Sequence, residues 1–205
     1  MQGAALRLED ARFDNDGSLV WLESLSGNTA LMLKKGADAP RDISGGLKIS
    51  AGVGYGGGDF TGRNGFAVFV HSTPNNTGRL YRVSLEGGLP QAITPDFGDY
   101  ASPVISPDGS QVLFVHSYER ADCLALVRTD GQSWPLKLAV GADFYMQPTW
   151  HPDGQQIAWI EWNHPQMPWD GTRLMTARLG VTGLTDVKQI FGGTDIPVFQ
   201  PEYSP

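Results

Sequence analysis

Short runs in which apolar and polar residues alternate dominate this chain, and the runs recur in a fixed unit. An aromatic or branched residue leads into a polar stretch ending in glycine, and an alternating strand follows. The clean copies are I-S-P-D-G-S-Q-V-L-F-V from Ile105 and W-H-P-D-G-Q-Q-I-A-W-I from Trp150. Weaker copies are F-D-N-D-G-S-L-V-W-L from Phe13 and F-T-G-R-N-G-F-A-V-F-V from Phe60, and a fifth opens at Tyr203. The starts, at positions 13, 60, 105, 150 and 203, lie 45 to 53 residues apart. A period of this length with turn-and-strand chemistry is the signature of propeller blades. Asp108-Gly109 and Asp153-Gly154 are tight-turn dipeptides between two short strands, and Pro107 and Pro152 preset the backbone entering the turn.

Each unit continues alike. A second alternating strand is expected at Ala30–Lys34, Arg79–Leu85, Leu124–Arg128 and Arg173–Leu179. A shorter, more polar one follows, as at Pro90–Thr94 and Lys188–Phe191. Helical periodicity is nearly absent, and 26 glycines and 14 prolines interrupt the chain throughout. The pattern predicts an all-β chain, a β-propeller of four-stranded antiparallel blades forming an incomplete arc of about four. Blades are expected at about 1–50, 51–97, 98–142 and 143–195, with a fifth opening at 196–205. Gln147-Pro148-Thr149-Trp150-His151-Pro152 realigns with Gln200-Pro201-Glu202-Tyr203-Ser204-Pro205. That realignment predicts that residues 1–205 are the front part of a longer protein.

Composition adds limits. The net charge is −7 and there is no basic stripe, which argues against binding a phosphate backbone. The single cysteine, Cys123, lies in an alternating strand and reads as a buried structural thiol. Four histidines at 71, 116, 151 and 164 lack metal-ligand spacing, so no metal and no cofactor is expected. The start MQGAALRLEDAR has no signal-peptide layout and no segment is apolar enough to span a bilayer, so the expected location is cytoplasmic. Asn75-Asn76-Thr77 fits the glycosylation sequon by chance. The glycine stretch V-G-Y-G-G-G-D-F at 53–60 lacks the lysine and the strand–helix context of a phosphate loop. It reads as a turn into the second blade or a loop at the propeller mouth.

One segment has no counterpart in the other repeats. After Ile160 the fourth unit carries E-W-N-H-P-Q-M-P-W-D-G-T, residues 161–172, where a short hairpin is due. Two prolines hold it extended, and two tryptophans, a methionine and a histidine make it an amphipathic contact surface. This stretch resembles the propeller of bacterial serine peptidases of the prolyl oligopeptidase family, in the dipeptidyl aminopeptidase/acylaminoacyl-peptidase branch. V-W-L-E-S at 20–24, Y-G-G-G at 55–58, R-L-Y-R-V at 79–83 and G-A-D-F-Y at 141–145 agree with it in order, so the resemblance covers essentially the whole chain. It implies a seven-bladed propeller capping a C-terminal α/β-hydrolase domain that carries the catalytic Ser, Asp and His. This chain contains no G-x-S-x-G and no hydrolase region. The role implied is therefore non-catalytic, limiting access to short peptides and supplying substrate contacts.

Candidate contact residues are Glu161, Trp162, His164, Trp169, Asp170 and Tyr55. Glu161 or Asp170 could grip a free amino terminus, as acidic residues do in aminopeptidase members of that family, or could serve only the loop's own hydrogen bonds. Trp162 and Trp169 could line an apolar subsite or pack on the neighbouring blade. His164 could hydrogen-bond substrate or be structural, and Tyr55 could reach the propeller mouth. The expected partners are the hydrolase domain and a peptide, with no nucleic acid and no membrane. An open arc with bare terminal faces is also expected to self-associate. The alternatives are a TolB-like protein-binding propeller without a catalytic domain, since such propellers share the Asp-Gly turns, and a sugar-acid lyase, which would need clustered His, Arg and carboxylates at the pore.

Overall fold

The computed structural model describes residues 5–55, 57–73 and 77–204. Residues 1–4, Gly56 of the glycine stretch and Asn75-Asn76 of the sequon lie outside the described residues, as does Pro205. The chain forms four antiparallel four-stranded sheets, each an uninterrupted meander. The first holds Arg7–Phe13, Leu19–Leu25, Asn28–Lys34 and Arg41–Asp42 (β1–β4). The second holds Phe60–Arg63, Phe66–Ser72, Gly78–Ser84 and Gln91–Ala92 (β5–β8). The third holds Asp99–Ile105, Gln111–Tyr118, Ala121–Arg128 and Leu136–Ala139 (β9–β12). The fourth holds Phe144–Trp150, Gln156–Trp162, Arg173–Gly180 and Gly183–Gly192 (β13–β16).

Period-two alternation explains how the sheets stack. On β6, Phe66, Val68 and Val70 face the third sheet, where they meet Tyr100, Val112, Phe114 and Cys123. Ala67 and Phe69 point the other way, onto Val20, Leu22, Leu31 and Leu33 of the first sheet. On β10 the alternation repeats: Leu113 and Val115 pack on Tyr145, Ile157 and Trp159 of the fourth sheet. Interior strands buried on both faces therefore read as continuous apolar runs, and each terminal sheet has one face that packs on no neighbouring sheet. Cys123 is buried at 3% exposure in this packing.

The first strands of successive sheets contact one another, β1 with β5, β5 with β9 and β9 with β13. That places them along the axis and makes the fold a propeller arc. The turns between first and second strands form one rim. There Gly17, Gly65, Gly109 and Gly154 all adopt φ between +71° and +82°, the left-handed region that glycine enters without a steric cost. Asp16, Asp108 and Asp153 each accept the backbone N–H two residues on, closing three of these turns. Asn64 ties the rim across sheets, accepting from Asn15 at 2.7 Å and donating to the Pro107 carbonyl at 3.1 Å.

Two outer strands differ from the sequence expectation. The polar strand expected at Pro90–Thr94 narrows to Gln91–Ala92: Pro90 has no N–H to donate, and at the other end the Thr94 hydroxyl rather than a backbone carbonyl accepts the Leu80 N–H. The one expected at Lys188–Phe191 extends over Gly183–Gly192, since the tight Gly180–Gly183 hairpin lets pairing begin at the turn.

Along the axis three of the four inner strands bend, β1, β9 and β13, and Gln200 beyond the last sheet shares their conformation. Asp10, Ser102, Gln147 and Gln200 have φ of +46°, +48°, +48° and +53°. The first three coincide with register shifts in their ladders, the mark of β-bulges. Asp10, Ser102, Gln147 and Gln200, with Gly57 and Gly58, line an axial channel of about 710 Å³. Residues 196–203 lie along the outer face of the fourth sheet. Val198 is held there by the Thr172 hydroxyl, at 2.7 Å to its N–H and 2.9 Å to its carbonyl. Further along, the Tyr203 and Thr176 hydroxyls are 3.0 Å apart.

Candidate functional site

Strand direction puts the hairpins between second and third strands, and the links between sheets, on the rim opposite the Asp-Gly turns. The 161–172 segment, Tyr55, the Glu119-Arg120 turn and the 140–143 link therefore share one rim. The loop that follows Trp162 is built from its own backbone bonds. Gln166 donates to the Asn163 carbonyl, Asp170 donates to the Met167 carbonyl, and the Asp170 carboxylate accepts from the Met167 N–H at 3.0 Å. The His164–Pro165 peptide is cis. Asp143 fastens the loop to the link before β13. Its carboxylate accepts from the His164 N–H at 2.8 Å, and its own N–H donates to Asn163 Oδ1 at 2.8 Å.

The six candidate residues fall into two groups. Glu161 and Asp170 are engaged internally. Glu161 accepts from the Trp159 indole at 2.8 Å and pairs with Arg173 at 3.0 Å, with its side chain only 12% exposed. Asp170 closes the loop by accepting the Met167 N–H, and the residue is itself exposed. Trp162 is buried at 2% exposure and stacks on Phe144, with ring centroids 4.9 Å apart. Tyr55, His164 and Trp169 reach solvent. Tyr55 meets Phe144, Trp162 and Trp169 edge-on at 5.9, 6.2 and 6.4 Å, and Trp169 is 60% exposed. Tyr55 lies in the link between the first and second sheets, yet it packs on the fourth, so this link crosses the arc near its axis.

Beneath Tyr55 a cleft of about 310 Å³ opens between the third and fourth sheets. Arg120 and Asp122 form one wall, Asp143 and His164 the other. Burial raises the Asp122 carboxyl above its ordinary value, against the opposing pull of the Ser117 hydroxyl. Hydrogen bonds from His164 hold Asp143 below its own. Two carboxyl groups, Asp122 and Asp143, thus face one guanidinium, Arg120, in the cleft. Arg120, Asp122 and Asp143 were not singled out in the sequence. The Glu-Arg turn looks like any hairpin there, and Asp143 stands out only as part of the G-A-D-F-Y stretch. Nothing along the chain signals that sheets three and four bring them together. Among the described residues no group of three or more His, Cys, Asp or Glu is placed to hold a metal, and no helix is long and apolar enough to cross a membrane.

No protein-family model and no curated protein matches the chain. Solved structures do. A puromycin-hydrolysing peptidase of Mycobacterium tuberculosis superposes with a TM-score of 0.77 at 25% identity, over 93% of this chain and 33% of that one. The resemblance to a peptidase propeller holds in three dimensions. A puromycin hydrolase gives 0.76 at 25% identity, over 92% of this chain and 33% of that one. The chain thus spans about a third of the length of these peptidases. A TolB relative from Agrobacterium tumefaciens matches with 0.70 at 18% identity, over 92% of this chain and 66% of its own, a likeness of fold.

Proposed function

We propose that this chain is the non-catalytic propeller part of a serine peptidase acting on short peptides, narrowing access to the active site and supplying substrate contacts. The observation that carries this reading is the cleft beneath Tyr55. It combines exposed aromatic rings with an excess of carboxylate, which suits a peptide's free amino terminus and first side chain. The contact residues are Tyr55, His164 and Trp169, with Asp122 and Asp143 taking the ammonium role considered for Glu161 and Asp170. The catalytic Ser, Asp and His belong to a hydrolase partner domain.

The second reading is a TolB-like propeller that binds protein through its axial channel; the channel's polar lining of Asp10, Ser102, Gln147 and Gln200 is the feature that favours it. The gene beyond codon 205, read together with the intact mass of the native product, separates the two. A frame continuing into G-x-S-x-G, with peptidase activity that falls when Asp122 and Asp143 are both changed to Asn, supports the first. A stop codon within a blade's length defeats it.

A further inference from the structure

The link between the first and second sheets contributes to two spaces at once. Gly54 and Tyr55 line the cleft, while Gly57 and Gly58 line the axial channel. Gly54 has no side chain, so among the described residues of this link the Tyr55 ring is the side chain that lines the cleft. The ring is fixed from two directions. Its backbone is left-handed, at φ +62°, and its edge contacts Phe144, Trp162 and Trp169 of the fourth sheet. Half of the residue, 48%, stays exposed, so the ring meets whatever enters the cleft. The opposite wall, from the Ser117–Asp122 hairpin, comes from a different sheet and is held by its own ladder.

We propose that Tyr55 is the size-determining residue of the cleft: its ring blocks the axial end and limits the group that fits beside Asp122 and Asp143 to a small one. The proposal rests on the reading of the cleft as a peptide-contact site. It assigns specificity to a residue from a link that is remote in sequence from both walls. A ring held by edge contacts on three aromatic neighbours resists displacement, and its removal vacates space beside Gly54, which has no side chain to fill it. The hydroxyl makes none of these aromatic contacts, so phenylalanine preserves the block and alanine removes it.

The test is binding to the 205-residue chain of amino-acid amides graded in size: glycinamide, phenylalaninamide and naphthylalaninamide. Tryptophan fluorescence and the indole N–H resonances of Trp162 and Trp169 are the readouts. The native protein and Tyr55→Phe should bind glycinamide at least tenfold more tightly than naphthylalaninamide. In Tyr55→Ala the bulky amide should gain at least tenfold while glycinamide changes less than threefold. A gain of less than tenfold for naphthylalaninamide in Tyr55→Ala overturns the proposal and leaves the cleft reading standing. Absence of saturable binding for all three amides in all three proteins overturns both. N-acetylated amides separate charge from size. If they bind as tightly as the free amines, the ammonium role of Asp122 and Asp143 falls, and the size shift in Tyr55→Ala still decides the role of Tyr55.

Discussion

Asp143 accepts the His164 backbone N–H at 2.8 Å, and the His164 ring nitrogen lies 3.2 Å from the same carboxylate oxygen. One carboxylate from the link between sheets therefore holds the unique loop in place. These bonds lower the Asp143 pKa. A carboxyl depressed in the folded state adds stability that is complete above its unfolded pKa and is lost as pH falls through its folded value. Acidification below the ordinary aspartate range should free the loop before the sheets open. Hydrogen exchange of the 163–172 amides should rise first in acid, and Asp143→Ala should show the same loosening at neutral pH. Loop exchange that tracks global unfolding in both cases would contradict the latch.

His116 and Asp122 sit one position out of register on neighbouring strands, His116 pairing with Cys123 and Asp122 with Ser117. Burial lowers the His116 pKa, and the hydrogen bond to the Phe97 carbonyl, then the negative charges of Asp99 and Asp122, partly restore it. Its depressed value means that stability is lost as pH falls below the unfolded histidine pKa. Asp99 and Asp122 are raised by burial. Their contribution has the opposite sign, present at low pH and lost as pH rises through their folded values. Asp122→Asn should therefore lower the His116 midpoint further and relieve the strain of a desolvated carboxylate near neutrality. A histidine titration followed by NMR in both proteins checks the direction, and an upward shift would refute it.

Glycine positions separate two costs that a sequence cannot distinguish. Gly17 and Gly98 both have positive φ, +82° and +69°. A Cβ at Gly17 meets nothing within 4 Å, whereas at Gly98 it would lie 2.4 Å from the Ser117 carbonyl oxygen and 2.8 Å from the His116 ring. Gly17→Ala should cost about 1–2 kcal/mol, the left-handed penalty alone. Gly98→Ala adds overpacking of about 1–3 kcal/mol, for a total of about 2–5 kcal/mol. Urea midpoints measured side by side should keep that order, and equal losses would show that the contact at Gly98 relaxes freely.

Much of the fold was legible because its determinants are local. Asp-Gly turns, Pro before them and alternating runs set strand and turn positions residue by residue, so the sheets follow from Ile105 and Trp150 onward. The fourth outer strand was legible only over Lys188–Phe191, because the residues ahead of it lack clean alternation. The loop after Ile160 was visible as an insertion, yet the direction of its side chains was not. Glu161 lies within β14, where strand alternation turns it toward Trp159 and Arg173, and Asp170 closes a turn that composition alone does not reveal. Asp122 and Tyr55 were harder still. They are separated by most of two sheets in sequence and share a cleft only because the first-sheet link crosses the arc.

The terminal sheets supply the remaining prediction. In the first sheet, Phe13 and Leu8 pair with Leu19 and Glu23 on the face opposite the core, and are 74% and 67% exposed. In the fourth, Leu174, Ala158 and Ile190 line an apolar groove of about 370 Å³, and Ile190 is 58% exposed. Burying a large apolar side chain stabilises by about 1.5–3 kcal/mol, so covering these residues on both faces offsets part of the association cost of roughly 4–15 kcal/mol. The 205-residue chain should therefore self-associate at micromolar concentration, with sedimentation coefficients that rise with loading. Leu8→Lys combined with Ile190→Lys places charges on both open faces without touching the inter-sheet cores, and should return the chain to monomer with its circular dichroism unchanged. A native chain that sediments as a monomer at all concentrations would show that residues 196–203, lying over the fourth sheet, already shield it enough.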